Sequence, residues 1–146
     1  MMPPMPRLPT LVAVMTPFPH AVHAEDDVAT ARAMMEQHGI HHLPVLRDGR
    51  LAGIVSIRDV SLAGDVLENN AGVTMPVWAI CTRDPYVVEI DTRLDVVAEE
   101  IANRHIGSAV VVKHGKLAGI LTTTDLCRAF AELLRERMPG GGNDVA

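Results

Sequence analysis

Two short segments of the sequence place a hydroxyl side chain three residues before an aspartate: Ser56 precedes Asp59, and Thr122 precedes Asp125. An ionised carboxylate can accept hydrogen bonds from both hydroxyls of a sugar cis-diol, and such charge-assisted bonds are stronger than neutral ones. The same spacing at the start of a helix is a capping pattern, in which the two side chains satisfy backbone N–H groups. The residues therefore leave two roles open, ligand binding and helix capping, which one side chain can combine.

The seven histidines raise the alternative of a metal site. His20 and His23 would point to opposite faces of a strand, which argues against a shared ion. His38 and His41 lie on either side of a predicted helix end. We therefore expect these histidines to be surface or pocket side chains, and the sequence predicts no metal site.

The two cysteines, Cys81 and Cys127, are too few for a disulfide framework or a zinc site. We expect both thiols to be reduced and the protein to be cytoplasmic. The sequence has no strained nucleophile turn and no Gly-x-x-x-x-Gly-Lys loop. His42 and Asp125 could meet in one cleft, but an acid–base pair without a nucleophile or a metal is weak evidence for catalysis. The sequence thus predicts a protein that is not an enzyme.

Most of the chain is an internal repeat with an offset of 66 residues. Residues 49–54 read GRLAGI, and residues 115–120 read GKLAGI. The same offset aligns Asp59 with Asp125, and it aligns Thr16 with Thr82, with no gap from about residue 11 to residue 65. A gapless match of this length indicates a duplication.

Both copies predict the same order of elements, β-α-β-β-α, so the fold class is α/β (α+β). A short strand precedes a helix with apolar residues at helical spacing, and Asp91 and Thr92 are candidate caps in the second copy. Two buried strands follow, joined by a turn in which Gly49 or Gly115 supplies a left-handed position. The predicted elements are residues 20–23, 27–38, 43–46, 51–55 and a helix from about Arg58, then residues 86–89, 92–104, 109–112, 117–121 and a helix from about Thr124 through residue 137.

The predicted organisation has an N-terminal extension at 1–10, a first repeat at 11–65, a linker at 66–76, a second repeat at 77–137 and a flexible tail at 138–146. A repeat of this size buries too little surface to be secure alone. We therefore expect the two repeats to pack as one module with pseudo-two-fold symmetry and to share one core.

Composition excludes several classes of function. The net charge is -5 and aromatic residues are only 3%, which disfavours nucleic-acid binding. No apolar run approaches the roughly 20 residues that span a bilayer, so we expect no membrane partner. The first nine residues lack the apolar core and cleavage site of a signal peptide.

The repeated motifs resemble those of the cystathionine β-synthase (CBS) domain family. Each copy has a Thr-x-x-Pro turn, at Thr16 and at Thr82, and each later has Gly-apolar-apolar-Ser/Thr-x-x-Asp, at 53–59 and at 119–125. The resemblance extends over about residues 11–134 and identifies the chain as a CBS pair, or Bateman module. It implies two clefts between the repeats and a homodimer. It also implies that the module regulates an effector protein of unknown identity.

The resemblance also implies which residues form the clefts, since each cleft combines one Ser/Thr-x-x-Asp segment with the central strand of the other repeat. Site A is the cleft in which we expect the ligand to bind. It comprises Val14, Met15, Thr16, His41, His42, Leu43, Pro44, Thr122, Thr124 and Asp125. Site B comprises Ser56, Arg58, Asp59, Ile80, Cys81, Thr82, Gly107, Ser108 and Ala109.

The family implies an adenosyl ligand, namely AMP, ADP, ATP or S-adenosylmethionine, and no required cofactor. Neither site has the dense Lys/Arg cluster that a triphosphate favours, so we expect AMP or ADP rather than ATP. The alternative is a ligand-free scaffold for dimerisation or interaction, in which both aspartates only cap helices. Dimerisation is expected through the apolar faces of the last helix in each repeat, comprising Val60, Ala63, Leu67, Leu126, Ala129, Phe130 and Leu133.

Overall fold

The computed structural model describes residues 8–17 and 20–137. Pro19 of the first Thr-x-x-Pro turn, most of the predicted N-terminal extension and the predicted tail lie outside these residues. In the first half, the helices and strands are α1 (Leu11–Val14), β1 (Thr16–Pro17), β2 (Val22–His23), α2 (Val28–His38), β3 (His42–Arg47), β4 (Arg50–Ser56) and α3 (Ile57–Glu68). In the second half, a 3-10 turn (Val77–Ala79) precedes β5 (Val87–Glu89), α4 (Leu94–Arg104), β6 (Ser108–Lys113), β7 (Lys116–Thr122) and α5 (Thr123–Arg137).

Each repeat has the predicted order β-α-β-β-α, and the α/β fold class is confirmed. Strand β2 pairs in parallel with β3, and β5 pairs in parallel with β6. Strands β3 and β6 pair antiparallel with β4 and β7. The hairpin turns differ slightly from expectation, because Asp48 and His114 share the left-handed backbone of Gly49 and Gly115. Two successive positive φ angles match the right-handed twist of the flanking strands.

The two sheets exchange backbone pairing through the N-terminal segments of the repeats, residues 11–17 and 77–83, which we call the crossing segments. Thr16 in β1 pairs with Ile120 in β7, so the crossing segment of the first repeat extends the sheet of the second. Thr82 pairs with Ile54 in β4 in the reciprocal way, through N–H···O bonds of 2.8 and 2.9 Å. This reciprocal exchange gives the pair its pseudo-two-fold symmetry and joins the two repeats.

Glycine is required where these crossing segments approach the sheet. A Cβ atom built on Gly53 would lie 2.4 Å from the carbonyl oxygen of Thr82. A Cβ atom built on Gly119 would lie 2.7 Å from the carbonyl oxygen of Thr16. The close backbone contact between the repeats therefore explains the glycine in each copy of the Leu-Ala-Gly-Ile sequence.

The expectation of one shared core is wrong, because all the buried apolar side chains among the described residues except Pro44, Val110 and Ile120 fall into two separate clusters. In each repeat, alternate strand residues such as Leu43, Val45 and Val55 face that repeat's own helices. The crossing segments complete the clusters: Val77 packs into the first, and Leu11 and Met15 pack into the second.

Three local expectations also need correction. The N-cap of α4 is Arg93, which makes no side-chain capping bond, and not Asp91 or Thr92. Helix α3 continues to Glu68, so it includes the first residues of the predicted linker. Val60 and Ala63 lie in the core and are not on a free face, since their exposed fractions are 1% and 5%. Within the described residues, no helix is long and apolar enough to cross a membrane.

Candidate functional site

Both Ser/Thr-x-x-Asp segments lie where a strand meets a helix, and both aspartates are capping residues. Asp59 Oδ2 accepts hydrogen bonds from the backbone N–H and the hydroxyl of Ser56, each 2.9 Å long, and the N–H of Asp59 donates to Ser56 Oγ. The N–H of Thr122 donates to Asp125 Oδ2 at 2.9 Å, and the N–H of Asp125 donates to Thr122 Oγ1. The capping interpretation is therefore correct for both segments.

Capping leaves the other carboxylate oxygen of Asp125 available. Among the described residues, Oδ1 accepts no hydrogen bond, and no buried side-chain oxygen or nitrogen there lacks a partner. Within the described part of the chain, Oδ1 is therefore open to a further hydrogen-bond donor, although only 8% of the Asp125 surface is exposed. The Asp125 carboxylate can hold the helix end with one oxygen and meet a ligand with the other.

A cavity of about 280 Å³ opens beside Asp125, between the two repeats. Six of the ten residues predicted for site A line it, namely Thr16, His41, His42, Thr122, Thr124 and Asp125. The threonines of β7 and α5 and the carboxylate come from the second repeat, whereas the histidines come from the first. The cleft thus combines both repeats, and the start of α5 offers its free N–H groups there.

The other four residues predicted for site A do not line this cavity. Met15 and Leu43 are buried in the two core clusters, and Val14 packs against the second cluster. Pro44 is buried and pairs with Ile54 across the first hairpin. Side chains alternate between the faces of a strand, so Leu43, which follows His42 in β3, turns towards the core.

Sequence reasoning missed two polar residues of the cavity, Arg128 and His20. Arg128 lies four residues after Thr124 on α5, and this spacing puts both on one helix face, so helical periodicity was a usable signal. His20 stacks on His38 with ring centroids 3.6 Å apart, a contact that no sequence pattern indicates. The cavity therefore has one permanent cation and three histidines.

His42 occupies the centre of the pair and differs from the other histidines. Burial lowers the pKa of His42 below its ordinary value, and His41 lowers it further, while Asp59 and Asp125 oppose the shift. Both aspartates influence it because His42 lies between the two candidate clefts. A Cβ atom on Gly107 would lie 3.0 Å from His42 Nε2, so the imidazole packs directly against that glycine. His42 is therefore a neutral, half-buried side chain at neutral pH.

The structure gathers the predicted site B less completely. Ser56 and Asp59 are joined by the capping bonds, with Arg58 exposed between them, and Thr82 borders β4. Ser108 and Ala109 are buried, and Gly107 accepts a backbone hydrogen bond from Thr123.

Ile80 and Cys81 turn away from site B and pack against the first core cluster. Cys81 lines a separate cavity with Trp78 and Arg83. Burial raises the pKa of the Cys81 thiol, with the positive charge of Arg83 opposing the shift. Both Cys81 and Cys127 are free thiols.

The histidines of the cavity do not form a metal site in the described part of the chain. Across residues 8–17 and 20–137, no group of three or more histidine, cysteine, aspartate or glutamate side chains is arranged to hold an ion. The chemistry of the cavity is instead that of a carboxylate, hydroxyls and one guanidinium, which suits a ligand with both hydroxyl and anionic groups.

Comparison with known proteins gives relatives that match most of this chain. Inosine-5'-monophosphate dehydrogenase of Korarchaeum cryptofilum is 36% identical over 106 residues, which cover 72% of this chain. The match covers 21% of the dehydrogenase, so this chain corresponds to about a fifth of that enzyme.

Two solved structures are similar over nearly their whole length. The CBS domain pair of protein MJ0100, in complex with 5'-methylthioadenosine and S-adenosyl-L-methionine, has a TM-score of 0.76 at 24% identity and covers 87% of this chain and 99% of that one. CBSX2 in complex with AMP has a TM-score of 0.69 at 28% identity and covers 86% of this chain and 98% of that one. A family model for the CBS domain matches residues 11–64 and 77–132. The chain thus belongs to the CBS domain family and contains two CBS domains.

Proposed function

We propose that this protein is a regulatory module that binds an adenosyl nucleotide in the cleft at Asp125. The observation that carries the proposal is the cavity itself, in which a partly free carboxylate and two threonines of the second repeat face histidines of the first. The neighbour that carries AMP supports this ligand class, since it is 28% identical over 86% of this chain. The proposed module has no catalytic activity of its own.

The cavity offers a complementary group for each part of AMP. Asp125 Oδ1 would accept the ribose hydroxyls, while the apolar side chains of Ile40 and Ile120 would contact the adenine. Thr124 lies in the first turn of α5 and Arg128 in the second, and together the helix N-terminus and the guanidinium favour a phosphate. The ligand would therefore bridge the two repeats.

The charges in the cavity favour AMP or ADP over ATP and S-adenosylmethionine. Arg128 is the one permanent cation among its lining residues, and burial holds His42 in the neutral form at neutral pH. A triphosphate would need more positive charge than this. The sulfonium of S-adenosylmethionine would face Arg128 with the same sign of charge.

The proposed module signals to an effector protein through a homodimer. The outward faces of the last helices carry exposed apolar side chains, with Leu62 and Val66 on α3 and Phe130 and Leu134 on α5. Exposed apolar residues clustered on helices are typical of an interface. A ligand that holds both repeats at once would alter the surface offered to the effector.

Calorimetric titration of the purified protein with AMP, ADP, ATP and S-adenosylmethionine tests this proposal. We expect saturable binding of AMP and ADP, with weaker binding of ATP and S-adenosylmethionine. Absence of binding across the four ligands would contradict the nucleotide-sensing function.

The capping bonds favour one alternative, a ligand-free scaffold in which Asp59 and Asp125 have only a structural role. On that account, Asp59→Ala and Asp125→Ala each destabilise the fold by about 1 kcal/mol and change nothing else. Thermal unfolding in the presence and absence of AMP separates the accounts, because only a binding site raises the melting temperature.

A further inference from the structure

A second polar cavity lies beside the crossing segment that carries Trp78 and Cys81. It has a volume of about 340 Å³ and shares no lining residue with the cleft at Asp125. Two guanidinium groups, Arg47 and Arg83, and the indole of Trp78 border it, and Cys81 and Val45 form part of its base. Its size is at the lower end of the range for small-molecule pockets.

The repeat symmetry shows that the fold does not require these side chains. At the equivalent positions, 66 residues away, Trp78 corresponds to Val12, Cys81 to Met15 and Arg83 to Pro17. Met15 is 8% exposed and packs into the second core cluster. Cys81 lacks two carbon atoms that methionine has, so less of the space beside β4 is filled. The cavity beside the sheet of the first repeat, with its aromatic wall and one of its cations, therefore has no equivalent side chains beside the sheet of the second.

The backbone holds these side chains in fixed positions. The N–H of Trp78 donates to the carbonyl oxygen of Ala24 at 3.1 Å, and the N–H of Cys81 donates to Val77 at 3.1 Å. The next residue, Thr82, donates its N–H to the carbonyl oxygen of Ile54 and accepts the N–H of Ile54 at its own carbonyl oxygen. Trp78, Cys81 and Arg83 are therefore presented by rigid backbone, which lowers the entropic cost of binding.

The positive charge of this cavity is largely uncompensated. Arg47 meets Glu25 at 3.6 Å, but both side chains are more than half exposed, so the pair contributes little. Arg83 forms no ion pair with any residue in the described part of the chain. Two arginines therefore line one small cavity of a protein whose net charge is -5. A carboxylate can meet guanidinium groups through paired hydrogen bonds, and an aromatic ring can stack on an indole.

We propose that this cavity binds a small planar organic anion, with an aromatic carboxylate stacked on Trp78 and its charge held by Arg47 and Arg83. The site is independent of the proposed nucleotide cleft, since the two share no residue.

Trp78 is the only tryptophan in the chain, so its fluorescence reports on this cavity alone. Titration of the full chain with benzoate should give a saturable change in that fluorescence. Arg83→Gln should weaken binding at least about tenfold, because it removes a charge-assisted hydrogen bond. Cys81→Met should abolish the saturable change, because the longer side chain would fill the cavity as Met15 fills the equivalent space beside β7.

The matched control is Arg50→Gln, which removes an equal charge at an exposed position that does not line the cavity, on the hairpin that carries Arg47. Benzoate affinity should be unchanged in this variant and in Asp125→Asn. Cyclohexanecarboxylate, which is not planar, should bind more weakly than benzoate. Absence of a saturable change in the unaltered protein would overturn the proposal, and so would equal losses in Arg83→Gln and Arg50→Gln or equal affinity for the two carboxylates.

Discussion

At the scale of single residues, the two repeats differ at the centre of the pair. The first repeat has His41 and His42, and the second has Gly107 and Ser108 at the equivalent positions. His42 packs closely on Gly107, since a Cβ atom there would lie 3.0 Å from His42 Nε2. The asymmetry between the two clefts is thus a packing relation between one histidine and one glycine.

His42 should make stability depend on pH. Because burial lowers its pKa in the folded protein, the unfolded chain takes up a proton at a higher pH than the native state does. The contribution of His42 to stability is therefore complete above its ordinary pKa of about 6.5 and is lost as the pH falls through its lower folded value. Denaturant unfolding measured across this range should show a loss of stability on acidification that is smaller in His42→Gln.

The control for this prediction is His23→Gln, which alters an exposed histidine of β2 outside the cavity. The pH dependence of its unfolding free energy should match that of the unaltered protein. The same slope in all three proteins would contradict the role assigned to His42.

At the scale of elements, the contact between a crossing segment and a sheet holds the repeats together. Gly53→Ala would put a Cβ atom 2.4 Å from a backbone oxygen, so β4 and the crossing segment would have to separate. We expect a loss of about 1–3 kcal/mol in the free energy of unfolding, as for other overpacked sites.

The matched control is another glycine, Gly64 in α3, where an added Cβ atom would meet only the end of the Arg32 side chain, at 3.4 Å. Gly64→Ala should stabilise the protein by roughly 0.5–1 kcal/mol, because alanine favours the helix. Equal effects of the two substitutions in denaturant titrations would show that the crossing contact is not strained by a side chain.

The elements themselves could be predicted from sequence because their signals are local or repeated. The offset between the copies predicts both hairpins and the Ser/Thr-x-x-Asp segment that follows each of them. Apolar periodicity predicts the helices. The exchange of Thr16 and Thr82 could not be found in this way, because a two-residue strand has no periodicity and its partner lies in the other repeat. For the same reason the orientation of Cys81 and the contact between His20 and His38 were missed.

At the scale of the whole molecule, the last helices should mediate dimerisation. Leu62 and Phe130 are 61% and 60% exposed, and such apolar side chains are stabilised by burial between protomers. Light scattering should therefore give a dimer at micromolar concentration, and the double variant with Leu62→Lys and Phe130→Lys should be a monomer. Val96→Lys alters an exposed apolar residue of α4 and should leave the dimer intact. A monomeric unaltered protein would contradict this assembly.

The expectation of a shared core was wrong because it considered only how much surface one repeat can bury by itself. It did not consider that each repeat could receive a segment from the other. Each repeat borrows a short segment, with Leu11 and Met15 in one case and Val77 in the other, and so completes a core of its own. This arrangement leaves the space between the repeats free to form a cleft with side chains from both.

The most direct test of the central claim is the AMP affinity of two variants that lose the same charge at equivalent positions. Asp125→Asn and Asp59→Asn each alter one capping carboxylate, so their effects on stability should be similar. Calorimetry should show at least about a tenfold loss of AMP affinity in Asp125→Asn, because a charge-assisted contact to the ribose is removed, and little change in Asp59→Asn. Equal affinities in both variants and the unaltered protein would contradict the assignment of the ligand to this cleft.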